Sequence, residues 1–529
     1  MKNKIILLAV MLTLFASCED LLDKQPLDKI SEATFWLSPK DADAGLQACY
    51  DVLQCRGTSK NPAYELWGMM DALTPISYSR NGGYNSIAEG THDPGNGLVN
   101  GYWNVAYKGI ARCNDVLDNI DDIPYPDNES DIKARVKGEA SFLRALYYYQ
   151  LIVAFGDVPL ILSVQEVSEA MVPRAPQNEI IQAMHKDLDI AVNSLPVSYS
   201  STEIGRATKG AALTLKTKIH LFEEDWDGAA STSKQVIDLG VYSLQPNFKD
   251  VFNWKNENNS EVIFDIQFIS YVDDGATFDK MYATRSHSSW GWSWLSPTLW
   301  LVDKFEKIDE NPEYTIEDER IQPDVYEYFE GRDPRMDATI LRPGGHTIVE
   351  KGLDKLYPYE ITNYHHSKTG LTTKKTIIEG DGGIPYDSPN NWILFRYSDV
   401  LLMYAEAKKQ LGQLDQATAD LSINAVRERA SDKLPLHSAT DITLDDIYDE
   451  CIRELAFEGW LFPRFKRWDM LKLNDGFKVM GMATNSTSST FAASPVVTRQ
   501  YFDYHQWWPI PQSERDINPN LTQNPGYSE

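Results

Sequence analysis

Positive charge is scarce in this chain: 50 Lys and Arg stand against 77 Asp and Glu, a formal net charge of −27. Such an acidic excess argues against nucleic acid as a partner, because polyphosphate binding depends on clustered Lys and Arg. Cysteine is scarce too. Cys18, Cys49, Cys55, Cys113 and Cys451 are few and scattered, so no disulfide framework holds this fold and a hydrophobic core must. Long apolar runs are missing: Ile5 to Phe15 gives about 11 residues where a membrane-crossing helix needs about 20, and no later stretch comes closer. Familiar catalytic signatures are missing as well. There is no HExxH and no GxSxG, and the adjacent His365 and His366 lie in a polar loop. GRATKGAA (Gly205 to Ala212) has the glycines of a phosphate loop but lacks the Lys and Ser or Thr that should follow, so it reads as a helix start. DNESD (Asp127 to Asp131) lacks the glycine and terminal glutamate of a calcium loop and reads as a solvated helix start. No cofactor is expected, with a structural calcium left open.

The amino terminus is the clearest targeting signal. Lys2 and Lys4 precede the short apolar run, then come Ala16, Ser17 and Cys18, followed by Glu19, Asp20 and Asp23. This is the pattern of a lipoprotein signal peptide, residues 1–17, ending at a lipidation cysteine, Cys18. Residues 18–38 would form a lipidated tether. The mature chain then carries 48 Lys and Arg against 77 Asp and Glu, a net charge of about −29. Each buried acyl methylene contributes about 0.8 kcal/mol, so several chains on Cys18 would anchor the protein to a membrane.

Helical periodicity dominates both ends. Arg135 to Phe155 places Phe142, Leu143, Leu146, Tyr149, Ile152 and Val153 on helical spacing, stopped by Gly156 and Pro159. Asn178 to Leu195 predicts its hairpin partner. A second pair follows, Gly205 to Glu224 and Ala229 to Leu239, joined by a tight turn at Asp225 to Gly228; a third is Ser398 to Leu411 with Ala417 to Ala430. Helix pairs recurring at about 34 residues indicate tetratricopeptide-like stacking. Long insertions separate the pairs, so distant parts of the chain should build one scaffold. The expected fold is mostly α: a tetratricopeptide-like helix-pair scaffold over about 39–245 and 391–529, with a large irregular, loop-rich subdomain of short strands over about 246–390.

That insertion holds alternating segments such as EVIFDIQF (Glu261 to Phe268) and Gly/Pro clusters at Pro343 to Gly345 and Gly380 to Pro385. It also holds the densest aromatic cluster, with Trp290, Trp292, Trp294 and Trp300. Tryptophans at i and i+2 face different sides of a helix but share one face of an extended segment. Trp290, Trp292 and Trp294 are therefore candidates for a flat platform on which sugar rings stack; the competing reading is that they pack the subdomain. A second candidate is SYSRNGGYN (Ser77 to Asn85), which offers tyrosines beside Arg80, Asn81 and Asn85, and reads otherwise as a solvated turn at Asn81-Gly82.

These features come together in a family resemblance that runs over nearly all of the mature chain. GLVNGYWNVAYKGIARCNDVL (Gly97 to Leu117), EASFLRALYYYQLIVAFGDVPL (Glu139 to Leu160), VPRAPQNEI (Val172 to Ile180), GRATKGAA, FRYSDVLLMYAEA (Phe395 to Ala407), RELAFEGWLFPRFKRW (Arg453 to Trp468) and WWPIPQSERDINPNLTQNPGY (Trp507 to Tyr527) follow in order. The chain resembles the SusD/RagB family of outer-membrane nutrient-binding lipoproteins. The resemblance implies a non-enzymatic receptor that captures oligosaccharides outside the cell and delivers them to a TonB-dependent, SusC-like transporter in the outer membrane. It also implies that the helices face the transporter and the irregular side binds ligand. By the same resemblance Arg80, Asn81, Tyr84 and Asn85 are binding residues, with Tyr84 standing where the family often has tryptophan; the glycan type is left open. A local basic patch around Arg80 or Arg285 would favour anionic ligands over neutral ones. The alternatives are a peptide-capturing receptor of the same family and a glycoside hydrolase.

Overall fold

The computed structural model describes residues 35–54, 63–270, 275–283, 291–308, 328–342, 347–350, 353–356, 367–378, 387–482 and 493–528. The signal peptide, Cys18, Cys55, Arg285, Trp290, His365, His366 and the Pro343–Gly345 and Gly380–Pro385 clusters lie outside these residues.

Helices build the scaffold in chain order: α1 (Pro39–Gln54), α2 (Gly82–Ala88), α3 (Gly97–Asn119), α4 (Ser130–Phe155), α5 (Gln177–Ser194), α6 (Lys209–Phe222) and α7 (Trp226–Asp238). Each of α3 to α7 packs on the next. The centre of the array is α4, whose residues from Gly138 to Phe155 are all buried; a helix apolar on every side must be enclosed by others. Fully burying each Leu, Ile or Phe there contributes about 1.5–3 kcal/mol. Close approach of α3 to α4 depends on Gly109, where a Cβ would come within 2.4 Å of the Tyr147 ring. Cys49, Cys113 and Cys451 are buried free thiols, so packing and not disulfide bonding holds this core.

After α7 the chain leaves the array and returns as α8 (Tyr397–Gln410), which packs directly against α7 and then against α10. Residues distant in sequence thus continue one stack of helices. The remaining helices used below are α9 (Ile423–Ala430), α10 (Leu444–Leu455) and α11 (Leu461–Arg467). Helix boundaries shift slightly from expectation where side chains cap them: Thr208 caps α6 by accepting from Ala211 N, and Asp225 caps α7 by accepting from Gly228 N, so α7 begins at Trp226 and not Ala229. The helix expected over Ala417 to Ala430 is broken at Ser422, whose backbone leaves the helical region and whose hydroxyl donates to Thr418 O. Within DNESD, Asp127–Glu129 form a single 3-10 turn, and Ser130 and Asp131 open α4.

The strands β1 (Ser77–Ser79), β2 (Val262–Ile266), β3 (Leu295–Pro297), β4 (Ile340–Leu341), β5 (Thr347–Glu350), β6 (Leu353–Leu356), β7 (Thr372–Thr373), β8 (Trp392–Arg396), β9 (Lys478–Met482) and β10 (Ala493–Thr498) form five two-stranded antiparallel ribbons. β2 pairs with β8, so the two ends of the insertion close on each other and β8 runs straight into α8. Buried ion pairs fasten this junction. Arg396 on β8 donates to Glu261 at 2.8 Å and to Glu458 at 2.7 Å, and Arg335 reaches Asp333, Glu450 and Glu454. Such groups are buried only because each charge is matched and hydrogen-bonded. Among the described residues no helix is long and apolar enough to cross a membrane.

Candidate ligand-binding site

The Ser77–Asn85 segment and the tryptophan-rich segment meet. β1 pairs antiparallel with β3, matching Tyr78 to Ser296 and Ser79 to Leu295, and Arg80 N extends the ladder by donating to Trp294 O at 3.3 Å. Serines at 77 and 79 are buried and Tyr78 between them is half-buried, the period-2 alternation of a strand with one covered face. Burial raises the Tyr78 phenol, with Glu89 adding to the effect and Arg80 opposing it.

Beyond β1 the chain does not make a solvated Asn-Gly turn. Asn81 Oδ1 accepts from Gly83 N at 3.0 Å and starts α2, while Ser79 Oγ accepts from Asn81 N at 3.1 Å. This helix turns Tyr84 inward. Tyr84 is 3% exposed and its hydroxyl donates to Glu65 O at 3.1 Å, so the ring is part of the core and not a stacking surface. Asn85 donates to Glu89 at 2.5 Å, one turn further along. Arg80 is exposed. The loop therefore presents Tyr78, Arg80 and Asn85 near its surface, uses Asn81 as a cap and hides Tyr84.

Trp292 and Trp294 are both half-buried and lie on one side of their segment, but not as the side-by-side array expected of an extended strand. Ser293 between them has φ 51°, a left-handed conformation that breaks the alternation. Three backbone bonds fix this kink: Trp292 N to Lys280 O at 2.9 Å, Ser293 N to Ala283 O at 3.0 Å and Trp294 N to Met281 O at 2.8 Å. The two indoles consequently stack on each other, centroids 4.8 Å apart and 29° between planes. Lys280 Nζ lies 5.4 Å from the Trp292 centroid, within cation–π range.

The carboxyl-terminal segment supports this region from below. Arg499 is fully buried and donates to Thr74 O and Ser77 O, both at 2.6 Å, and to Ala72 O at 3.1 Å. Burial lowers its guanidinium to about 10, with Glu89 and Tyr78 pulling the other way. Gly90, at φ 71°, lets the backbone at Gln500 and the His505 ring pass against the end of α2. There Phe502, 47% exposed, lies parallel to Tyr504 at 5.7 Å. Sequence reading counted Tyr78 among the tyrosines of the loop without carrying it into the binding set, and it missed Glu89 and Arg499. The Ser-Tyr-Ser alternation was the available signal for the first; the others join the site only through contacts across the fold.

A separate small hollow is lined by Phe252, Glu257, Asp265, Thr376, Asn391 and Trp392 among others. Burial pushes Glu257 up to about 7 and Asp265 up to about 6. Asn391 ties the two together, its N donating to Glu257 at 2.6 Å and its Nδ2 to Asp265 at 3.1 Å. Two carboxyls bridged by one asparagine brace the β2–β8 ribbon.

The sequence profile of the SusD family matches residues 260–527. A second profile, described as "Starch-binding associating with outer membrane", matches residues 27–221. A SusD-like protein of Formosa agariphila is 26% identical to this chain, over 96% of it and 95% of its own length. Among solved structures, a SusD-like carbohydrate binding protein of Bacteroides fragilis superposes with a TM-score of 0.82 at 28% identity, covering 92% of this chain and all of its own. A laminarin binding SusD-like protein superposes with a TM-score of 0.70 at 25% identity, covering 93% of this chain and all of its own.

Proposed function

The chain belongs to the SusD family, and we propose that it is a cell-surface receptor that captures oligosaccharides and hands them, without catalysis, to a TonB-dependent outer-membrane transporter. The observation that carries this reading is the β1–β3 pairing, which sets Tyr78 and Arg80 beside the stacked Trp292 and Trp294. Indole and phenol faces take the C–H faces of pyranose rings, and Arg80, Asn85 and Glu89 offer donors and acceptors to hydroxyls. Relatives whose names record carbohydrate and laminarin binding support the same ligand class.

Stacking contributes about 0.5–1.5 kcal/mol per ring beyond area burial and a neutral hydrogen bond about 1 kcal/mol, so a few of each give micromolar to millimolar affinity. Weak binding with fast release suits a receptor that passes its ligand onward. The acidic surface favours neutral glycans over anionic ones. Cys18 carries the lipid that holds the protein to the outer face of the outer membrane, and the helical array faces the transporter.

The test is retention of the purified protein on a panel of neutral and anionic polysaccharides in native affinity gels, with reducing ends assayed in parallel. Retardation by one neutral class without product release is expected. Product release would replace the receptor with a hydrolase, and binding of peptides alone would replace glycan capture with peptide capture.

A further inference from the structure

The scaffold holds a second cluster of chemistry-bearing side chains, away from the β1–β3 site. His185 projects from α5, His220 from the last turn of α6, Glu223 lies just past that turn, and Asp225 caps α7. His220 and Glu223 are three residues apart and share a helix face, on which α5 lays His185. The imidazoles of His185 and His220 lie 4.6 Å apart at 34°. His185 Nε2 is 2.6 Å from Glu223 Oε2, and His220 Nδ1 is 2.7 Å from Asp225 Oδ2. The second contact lacks hydrogen-bond alignment: Nδ1 of His220, like Nδ1 of His185, is a buried atom without a hydrogen-bond partner. Ligand atoms of His185, His220 and Glu223 all lie within 4.8 Å of one another.

We propose that this cluster binds a divalent transition-metal ion of the zinc class, with His185, His220 and Glu223 as ligands and Asp225 close beside His220. A tetrahedral ion with bonds of about 2.0–2.1 Å holds its ligand atoms about 3.3 Å apart, a spacing that small rotamer changes reach from the observed separations. Imidazole nitrogens favour zinc, copper, nickel or cobalt over calcium or magnesium. An ion would take the place of the His185 Nε2–Glu223 Oε2 hydrogen bond, with an imidazole nitrogen and a carboxylate oxygen turned to it as donors. His185 and Glu223 are 21% and 30% exposed, so an ion can enter from solvent. Once bound it ties α5, α6 and the start of α7 together and stiffens that side of the array.

The test uses the purified full chain stripped with chelator, then titrated with Zn²⁺ against a chromogenic chelator and with Co²⁺ by visible absorption. The expected result is one high-affinity ion per chain, a higher melting temperature with Zn²⁺, and a Co²⁺ ligand-field band. His185→Gln and His220→Gln should each weaken Zn²⁺ binding by about tenfold or more and abolish that band. Glu223→Gln, at the surface, serves where a histidine variant fails to fold and should also weaken binding. Absence of Zn²⁺ binding, or affinity unchanged in Glu223→Gln and in the folded histidine variants, overturns the proposal.

Discussion

Glu450 is fully buried between Arg335, Arg453 and Arg427, at 2.6, 2.9 and 3.0 Å. Burial alone would raise its carboxyl, but these guanidinium groups overcome that and hold it at about 2. The folded value lies below the unfolded one, so the unfolded chain takes up the proton first; the stabilisation is present above about pH 4.5 and is lost as pH falls toward 2. The shift corresponds to about 3 kcal/mol. Denaturant unfolding between pH 7 and pH 3 should show Glu450→Gln destabilised at pH 7 but declining less steeply than the unmodified chain; an equally steep decline would refute this role. In the Ser77–Asn85 loop the same reasoning separates core from proposed site. Tyr84→Phe loses the bonds to Glu65 O and Leu66 O and should cost about 1 kcal/mol while glycan retention stays unchanged. Lost retention at unchanged stability would return Tyr84 to the binding surface. Its inward direction was illegible in SYSRNGGYN, because a loop sequence does not say that Asn81 starts a helix.

Elements with long apolar periodicity were readable in advance, and α4, α5 and α8 lie within a few residues of where spacing puts them. Ends and breaks were less legible, since the Asp225 cap and the Ser422 kink depend on single side-chain bonds. The β1–β3 ribbon was invisible to local reading: it joins Ser77 to Pro297, and short strands carry little signal of their partner. For the same reason the left-handed Ser293, held by the helix end at Lys280 to Ala283, turned an expected array of tryptophans into a stacked pair. Two element-level predictions follow from these contacts. Gly109→Ala must push α3 away from Tyr147 and should cost about 1–3 kcal/mol in unfolding free energy. Asn81→Ala removes the α2 cap, should cost about 1 kcal/mol, and should weaken glycan retention because the cap sets the approach of Arg80 to Trp294. An unchanged melting temperature in either variant would contradict the packing described.

For the whole molecule, the return of the chain as α8 onto α7 makes one helical array the support for the Ser77–Asn85 loop and an insertion that meet only in three dimensions. This division suits a receptor with one side for a transporter and another for glycan. Replacing Cys18 with Ala should release the protein from the membrane fraction without changing glycan binding, and persistent membrane association would point to another anchor. The most direct test of the central claim is calorimetric titration of the retained polysaccharide against the unmodified chain and the Trp292→Ala/Trp294→Ala variant. The account predicts that the double variant keeps its fold and loses about tenfold or more in affinity, from about 1–3 kcal/mol of stacking. Undiminished affinity in a folded double variant would show that the stacked indoles are core packing and that glycan is held elsewhere.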